Sequence, residues 1–207
     1  MDSKINKSLQ SKLTTILALL LFTLSSCSDI LNEKPRDFLT PKVAYSTESG
    51  ALQGINAIYA DVRKQFFSYS SFGVMSWATH GSDIGYMGEN PTSSAYLNSY
   101  TFMTPTSRWV VDTWNAGFRI IGEANSLIDG VSKAEPENFD EGEEGKNLYL
   151  AEARFFRAWV YRYLVSTYGS IPLLTEPVKD ARVNFERDPV ADIYKQMVED
   201  QYCPKRF

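Results

Sequence analysis

Hydrophobic positions along the chain recur at three- and four-residue spacing in four separate stretches, which predicts helices. In the first, Leu52, Ile55, Ile58, Tyr59, Val62 and Phe66 share a face, and Ser46, Thr47 and Glu48 offer cap and first-turn chemistry, so a helix is expected over 47–67. After Pro105 and Arg108, the residues Val110, Trp114, Phe118, Ile121, Asn125 and Ile128 predict a second helix over 108–130, with Gly130 near its end. The third, 148–168, is apolar on nearly every side. Ala151, Phe155, Trp159 and Tyr163 form one stripe and Phe156, Val160 and Leu164 another, so this helix is expected to be buried between neighbours. Gly169 stops it, and Pro172 sits in a short extended run over 170–174. Pro189 in a first turn, followed by Val190, Ile193, Met197 and Val198, predicts a fourth helix over 189–201. Residues 132–146 carry six acids, a proline and two glycines, and read as a solvated connection. The expected fold class is all-α.

The N-terminus has a different pattern. Lys4, Lys7 and Lys12 precede an apolar run from Leu13 to Leu24, too short for a bilayer span of about 20 residues, so residues 1–26 read as an export signal. The run Leu24-Ser25-Ser26-Cys27 resembles the lipobox of bacterial lipoproteins, in which Cys27 is lipidated and becomes the mature N-terminus. Acyl chains contribute about 0.8 kcal/mol per buried CH2, enough for two or three chains to hold a protein on a membrane without a spanning helix. The competing reading pairs Cys27 with Cys203 in a disulfide, but that would not call for small residues at both preceding positions. Residues 27–45, with prolines at 35 and 41, are expected to form an extended tether, and Asp29, a single acid after the cysteine, resembles in part the early acidic stretch of surface-exported lipoproteins, which implies the extracellular side.

Charge and composition narrow the chemistry. The 207 residues carry 21 Lys plus Arg against 25 Asp plus Glu, a net charge of -4, without the basic surface that nucleic-acid binding needs. Two cysteines and one histidine exclude a structural zinc-thiolate site, and no metal or cofactor is expected. Helical periodicity is missing from residues 68–107, yet seven aromatic side chains occur between Tyr69 and Phe102, with no Lys or Arg. Aromatic faces cover the apolar side of a sugar ring while amides and carboxylates bond its hydroxyls, so Trp77, Asp83, Tyr86, Tyr96 and Asn98 are the candidate ligand contacts. Packing of the same aromatics onto the helices is the alternative.

Other spellings carry less chemistry. His80-Gly81-Ser82-Asp83 contains the residue types of a catalytic triad, but a triad is assembled from separate elements. Glu141, Glu143 and Glu144 lack the apolar setting that a glycosidase acid requires, and Asp83 to Glu89 lacks the spacing of a calcium loop. Catalytic residues are not expected. Glu152, Arg154 and Arg157 on the buried helix should pair with carboxylates or helix ends, and Asn125 should be a satisfied interior amide.

Glu152-Ala153-Arg154-Phe155-Phe156-Arg157-Ala158, followed by Tyr161, Leu164, Tyr168-Gly169 and Ile171-Pro172-Leu173, resembles the hallmark stretch of the SusD/RagB family of outer-membrane lipoproteins. The lipobox, Ile58-Tyr59, Ala124-Asn125 and Asp188-Pro189 to Tyr194 follow in the matching order. The resemblance implies tetratricopeptide-like helix pairs with long loops, and a nutrient-binding protein, chiefly for oligosaccharides, that caps a SusC-type TonB-dependent transporter at the outer membrane. It also implies a longer chain, so residues 46–207 are expected to be the N-terminal part of a larger helical domain, with Pro204 breaking the usual continuation. A lipid-anchored enzyme, a protein-interaction scaffold and a truncated fragment without function are the competing readings.

Overall fold

A computed structural model of the chain describes residues 40–66, 79–86, 98, 103–181 and 183–202. Among these residues the regular structure is helical: α1 (Pro41–Ala44), α2 (Glu48–Phe66), α3 (Arg108–Ser132), a 3-10 turn (Pro136–Asn138), α4 (Glu143–Tyr168) and α5 (Val190–Gln201). Strand-like pairing is confined to isolated bridges. The four expected helices are present. No helix among the described residues is long and apolar enough to cross a membrane.

α4 is the centre of the packing, lying most extensively on α3, next on α5, and touching α2, which itself rests on α3. Ile58 of α2, Ile120, Ile121 and Leu127 of α3 and Val160, Tyr161 and Leu164 of α4 are fully buried. Each large aliphatic side chain removed from water in this way stabilises the fold by about 1.5–3 kcal/mol. Phe66 closes one end of the layer, its ring 4.5 Å from Trp159 and 4.9 Å from Tyr163. Of the two stripes on α4, that of Phe156, Val160 and Leu164 is buried, whereas Phe155 is 48% and Leu148 58% exposed. The helix is therefore covered on three sides and wet on the fourth.

Local differences from the sequence pattern have physical causes. Residues 41–44, expected within an extended tether, form a helical turn, because Pro41 at the first position needs no N–H partner. α1 then packs on Gly130, where a Cβ would stand 2.8 Å from both the Pro41 carbonyl and Tyr45. Gly130 is thus a contact glycine inside α3, which continues to Ser132.

The acidic connection is also more ordered than its composition suggests. Glu48 accepts hydrogen bonds from the Asp140 N–H at 2.7 Å and the Tyr149 hydroxyl at 3.1 Å, and Asn138 Nδ2 donates to the Ser46 carbonyl at 3.0 Å. These bonds fasten the start of α2 to the approach of α4. Phe139 is thereby placed in the core, and α4 starts at Glu143 with Glu143 and Glu144 in the first turn, where negative charge suits the helix dipole. At the other end, Gly169 adopts φ +70° and its N–H bonds to the Val165 carbonyl, as a helix stop requires.

In α5, Pro189 caps the helix from outside rather than forming its first turn. Only Ile193 and Met197 of the four expected apolar residues face the core; Val190 and Val198 are exposed, because Asp200 takes the inward position.

Across the α2–α3 contact, Arg119 Nε pairs with Asp61 at 2.5 Å. Glu123, one turn after Arg119, has a buried carboxylate oxygen without a hydrogen-bond partner. Burial, and then the charge of Asp61, raise its carboxyl to about 7 against the opposing effect of Arg119. A raised carboxyl binds its proton more tightly when folded than when unfolded, so ionised Glu123 destabilises the fold at pH values above about 7. That penalty fades as the pH falls towards the ordinary carboxylate range. Glu123→Gln is expected to raise the melting temperature at pH 8 and to change it little at pH 4.5; melts across that range check the prediction, which an equal shift at both pH values would contradict.

Candidate functional site

Arg157, Asp200 and Asn125 form a buried polar cluster, 4%, 6% and 1% exposed, contributed by α4, α5 and α3. The guanidinium grips Asp200 with two bonds, Nε to Oδ2 at 2.8 Å and Nη2 to Oδ1 at 2.5 Å. Its Nη1 donates to Asn125 Oδ1 at 2.7 Å and to the Thr175 carbonyl at 3.0 Å. Asn125 Nδ2 in turn donates to the carbonyls of Leu174 at 2.9 Å and Glu176 at 3.2 Å. Tyr161 accepts from the Leu174 N–H at 2.6 Å and donates to its carbonyl at 2.9 Å, while burial pushes its phenol well above the usual range. A charge so deeply buried is tolerable because its donors are consumed by partners. The expectations for Arg157 and Asn125 agree with this geometry.

The cluster positions backbone. Leu174, Thr175 and Glu176 belong to an extended excursion between α4 and α5 whose two ends are joined by a bridge from Ile171 to Asp188, with the Asp188 N–H on the Ile171 carbonyl at 3.0 Å. Asp188 Oδ2 also accepts from the Leu173 N–H at 2.7 Å. The root of the excursion is thus fixed by side chains from α3 and α4, with Asp200 of α5 holding Arg157 in place.

Between this excursion and the N-terminal half of α3 lies a solvent-open cleft of about 550 Å³. Trp114 and Phe118, their ring centroids 4.7 Å apart, form its floor together with Leu174. Val178, Val183 and Phe185 make the opposite wall and are 49%, 92% and 39% exposed. Asp180 and Arg187 also line it. Arg187 donates to the Ser170 carbonyl at 3.2 Å and lies 6.0 Å over the Trp114 ring, whose edge-on neighbour Tyr168 is at 5.2 Å.

The ligand contacts expected from sequence fall elsewhere. Asp83 and Tyr86 occur together on a tight turn over 79–86, where Gly81 has φ +75° and Ser82 Oγ donates to the Thr79 carbonyl at 2.6 Å. That bond occupies the serine hydroxyl in the turn, so the neighbouring His80, Ser82 and Asp83 do not make a triad. Tyr86 is 74% exposed and Asp83 is exposed, so neither is packed into the core; Asn98 is half-buried. Trp77, Tyr96 and Cys27 lie outside the described residues. The cleft residues were not singled out as ligand contacts by the sequence pattern. Trp114 and Phe118 read as a helix face, and the signal for the wall is the alternation of Val183 and Phe185 with polar residues in a run without helical period.

Residues 46–206 match a SusD-like family described as starch-binding and associating with the outer membrane. A SusD-like protein of Formosa agariphila is 31% identical over 200 residues, covering 95% of this chain and 37% of the relative. A second from the same organism is 28% identical over 169 residues, covering 79% and 31%. Among solved structures, a laminarin-binding SusD-like protein superposes with a TM-score of 0.63 at 23% identity, over 74% of this chain and 32% of that one. A SusD-like carbohydrate-binding protein of Bacteroides fragilis gives 0.57 at 22% identity, over 75% and 30%. At such identities the likeness is one of fold, and it agrees with the all-α, tetratricopeptide-like class. The chain spans about a third of the length of these relatives.

Removing one partner of the buried pair leaves the other charged and unsatisfied. Asp200→Leu is expected to destabilise the fold by about 3–5 kcal/mol, and the Arg157→Met, Asp200→Leu double variant by less than the sum of Arg157→Met and Asp200→Leu alone. Urea denaturation of the four proteins checks this; additive losses would show that the two charges are not coupled.

Proposed function

The chain belongs to the SusD-like family, whose proteins associate with the outer membrane, and from that premise we propose that it is a cell-surface lipoprotein that binds oligosaccharide and delivers it to a SusC-type TonB-dependent transporter. The observation that carries this reading is the family match across residues 46–206. The export signal over residues 1–26, followed by Cys27, supports a lipid anchor and an extracellular orientation. Two of the matched folds belong to proteins described as laminarin-binding and carbohydrate-binding, which supports a glycan as the nutrient. In this reading the protein binds and hands on its ligand without catalysing its conversion.

Binding would work by solvent-facing aromatics and polar groups meeting the two kinds of surface on a sugar. Tyr86 and Asp83, both exposed on one turn, offer a ring and a carboxylate. Trp77, Tyr96 and Asn98 complete the proposed contact set. A ring stacked on one face of a pyranose contributes on the order of 1 kcal/mol beyond its area.

A protein-interaction scaffold has one observation in its favour. Val190, Tyr194 and Val198 recur every four residues on the exposed side of α5, with exposed Tyr202 just past its end, an apolar ridge of the kind that other helices cover. Co-purification with the transporter in the absence of glycan affinity would favour that role.

Two experiments test the proposal. Affinity electrophoresis of the full chain through gels containing starch or laminarin is expected to show retardation, and Tyr86→Ala to weaken it roughly tenfold; unretarded migration in a broad set of polysaccharides would sink glycan binding. Cys27→Ser is expected to abolish labelling by radioactive palmitate and to move the protein out of the membrane fraction, whereas persistent labelling would exclude Cys27 as the anchor.

A further inference from the structure

The cleft between α3 and the excursion over 171–188 has features of a built site. Exposed apolar side chains are costly, yet Val178, Val183 and Phe185 stand together on one wall opposite Trp114 and Phe118. Asn125, Arg157 and Tyr161 hold the carbonyls of Leu174, Thr175 and Glu176, and Asp188 bonds the Leu173 N–H, so the base of the wall is positioned before any ligand arrives. Its volume of about 550 Å³ lies within the range of small-molecule sites.

The occupant follows from the distribution of polarity. The cleft is apolar inside and open to water outside, so a wholly apolar ligand would keep its outer face wet. Such a ligand would also shield Asp180 and Arg187 from water without replacing their hydrogen bonds. A strongly charged ligand fits no better, because among the described residues both an acid, Asp180, and a base, Arg187, line the same cleft. A pyranose is two-faced, with C–H groups on its flat side and hydroxyls at its edge that both donate and accept. The flat side suits Phe118 and Phe185, while the edge can donate to the Asp180 carboxylate and accept from the Arg187 guanidinium.

We propose that this cleft is a second saccharide subsite, separate from the Asp83–Tyr86 turn, that takes a short segment of neutral oligosaccharide with its apolar face on Phe118 and Phe185 and its hydroxyls on Asp180 and Arg187. The proposal rests on the glycan-binding reading and adds to it a place, formed by α3 and the excursion, where a chain can be gripped. Arg187 is held ready by its bond to the Ser170 carbonyl and its position over Trp114.

Saturation-transfer NMR and calorimetry with maltoheptaose and laminarihexaose, on the full chain and on Phe185→Ala, Arg187→Gln and Tyr86→Ala, test it. Phe185 and Arg187 lie at the surface, and circular dichroism melts confirm that the variants fold. The expected result is saturable binding of at least one sugar, weakened about tenfold by Phe185→Ala and about threefold or more by Arg187→Gln. Saccharide C–H protons should receive saturation from aromatic side chains that are lost in Phe185→Ala. Unchanged affinity in both cleft variants alongside loss in Tyr86→Ala would overturn the cleft subsite and leave glycan binding standing. Absence of binding by either sugar, with the same sugars failing in affinity gels of the corresponding polysaccharides, would overturn both. Displaceable binding of anilinonaphthalene sulfonate that neither sugar competes for would assign the cleft to apolar ligands instead.

Discussion

The buried pair of Arg157 and Asp200 is the interaction on which the rest of the described structure depends. Taking two charges out of water costs several kcal/mol each, and only a geometry that satisfies nearly every donor and acceptor offsets it. Here the guanidinium fork meets both carboxylate oxygens, and its remaining directed donor reaches Asn125 and the Thr175 carbonyl. Apolar contacts among α3, α4 and α5 would permit small slides along their ridges. The fork is planar and directional, so it selects one register for the three helices and for the chain that runs between two of them.

The consequence reaches the surface through backbone rather than through side chains. Carbonyls at 174–176 are spent on the buried cluster, which anchors one end of the excursion, and Asp188 bridges back to Ile171 at the other. Val178, Asp180, Val183 and Phe185 lie between these anchors and line the cleft opposite Trp114 and Phe118. The excursion lies on the surface, yet its root is part of the core. The N-terminal side is fastened differently. Glu48 and Asn138 link the start of α2 to the approach of α4 by hydrogen bonds nearer the surface, and the Asp61, Arg119 and Glu123 cluster across α2 and α3 leaves that contact responsive to pH.

Much of the helical skeleton was legible in the order of residues. Apolar spacing located α2, α3, α4 and α5, since burying one stripe of a helix is a local pattern repeated every turn. The stretch around Arg157 pointed to its family, and a charged residue in an apolar helix already called for a partner. Asp200 itself was not legible: from sequence it is one acid among 25, and only the fold puts it against Arg157. The same holds for α1 and for the acidic connection. Pro41 looked like part of a tether and Glu143 like part of a solvated loop, because the contacts that order them, with Gly130 and with Glu48, come from residues distant in the chain.

The candidate site divides in the same way. Sequence composition marked Tyr86 and Asp83 as ligand chemistry, and the fold places both on a solvent-exposed turn. Trp114 and Phe118 carried the spacing of an ordinary helix face, and Val183 and Phe185 that of an irregular connection, so neither pair announced a cleft. By itself the sequence determined where the chain would be helical, which family it resembles and that a buried cation needed an anion, because these depend on neighbours within a turn or two. Which anion it found, which aromatic rings remained open to water and where a cleft formed were decided by tertiary structure, because each depends on segments that meet only after the helices have packed.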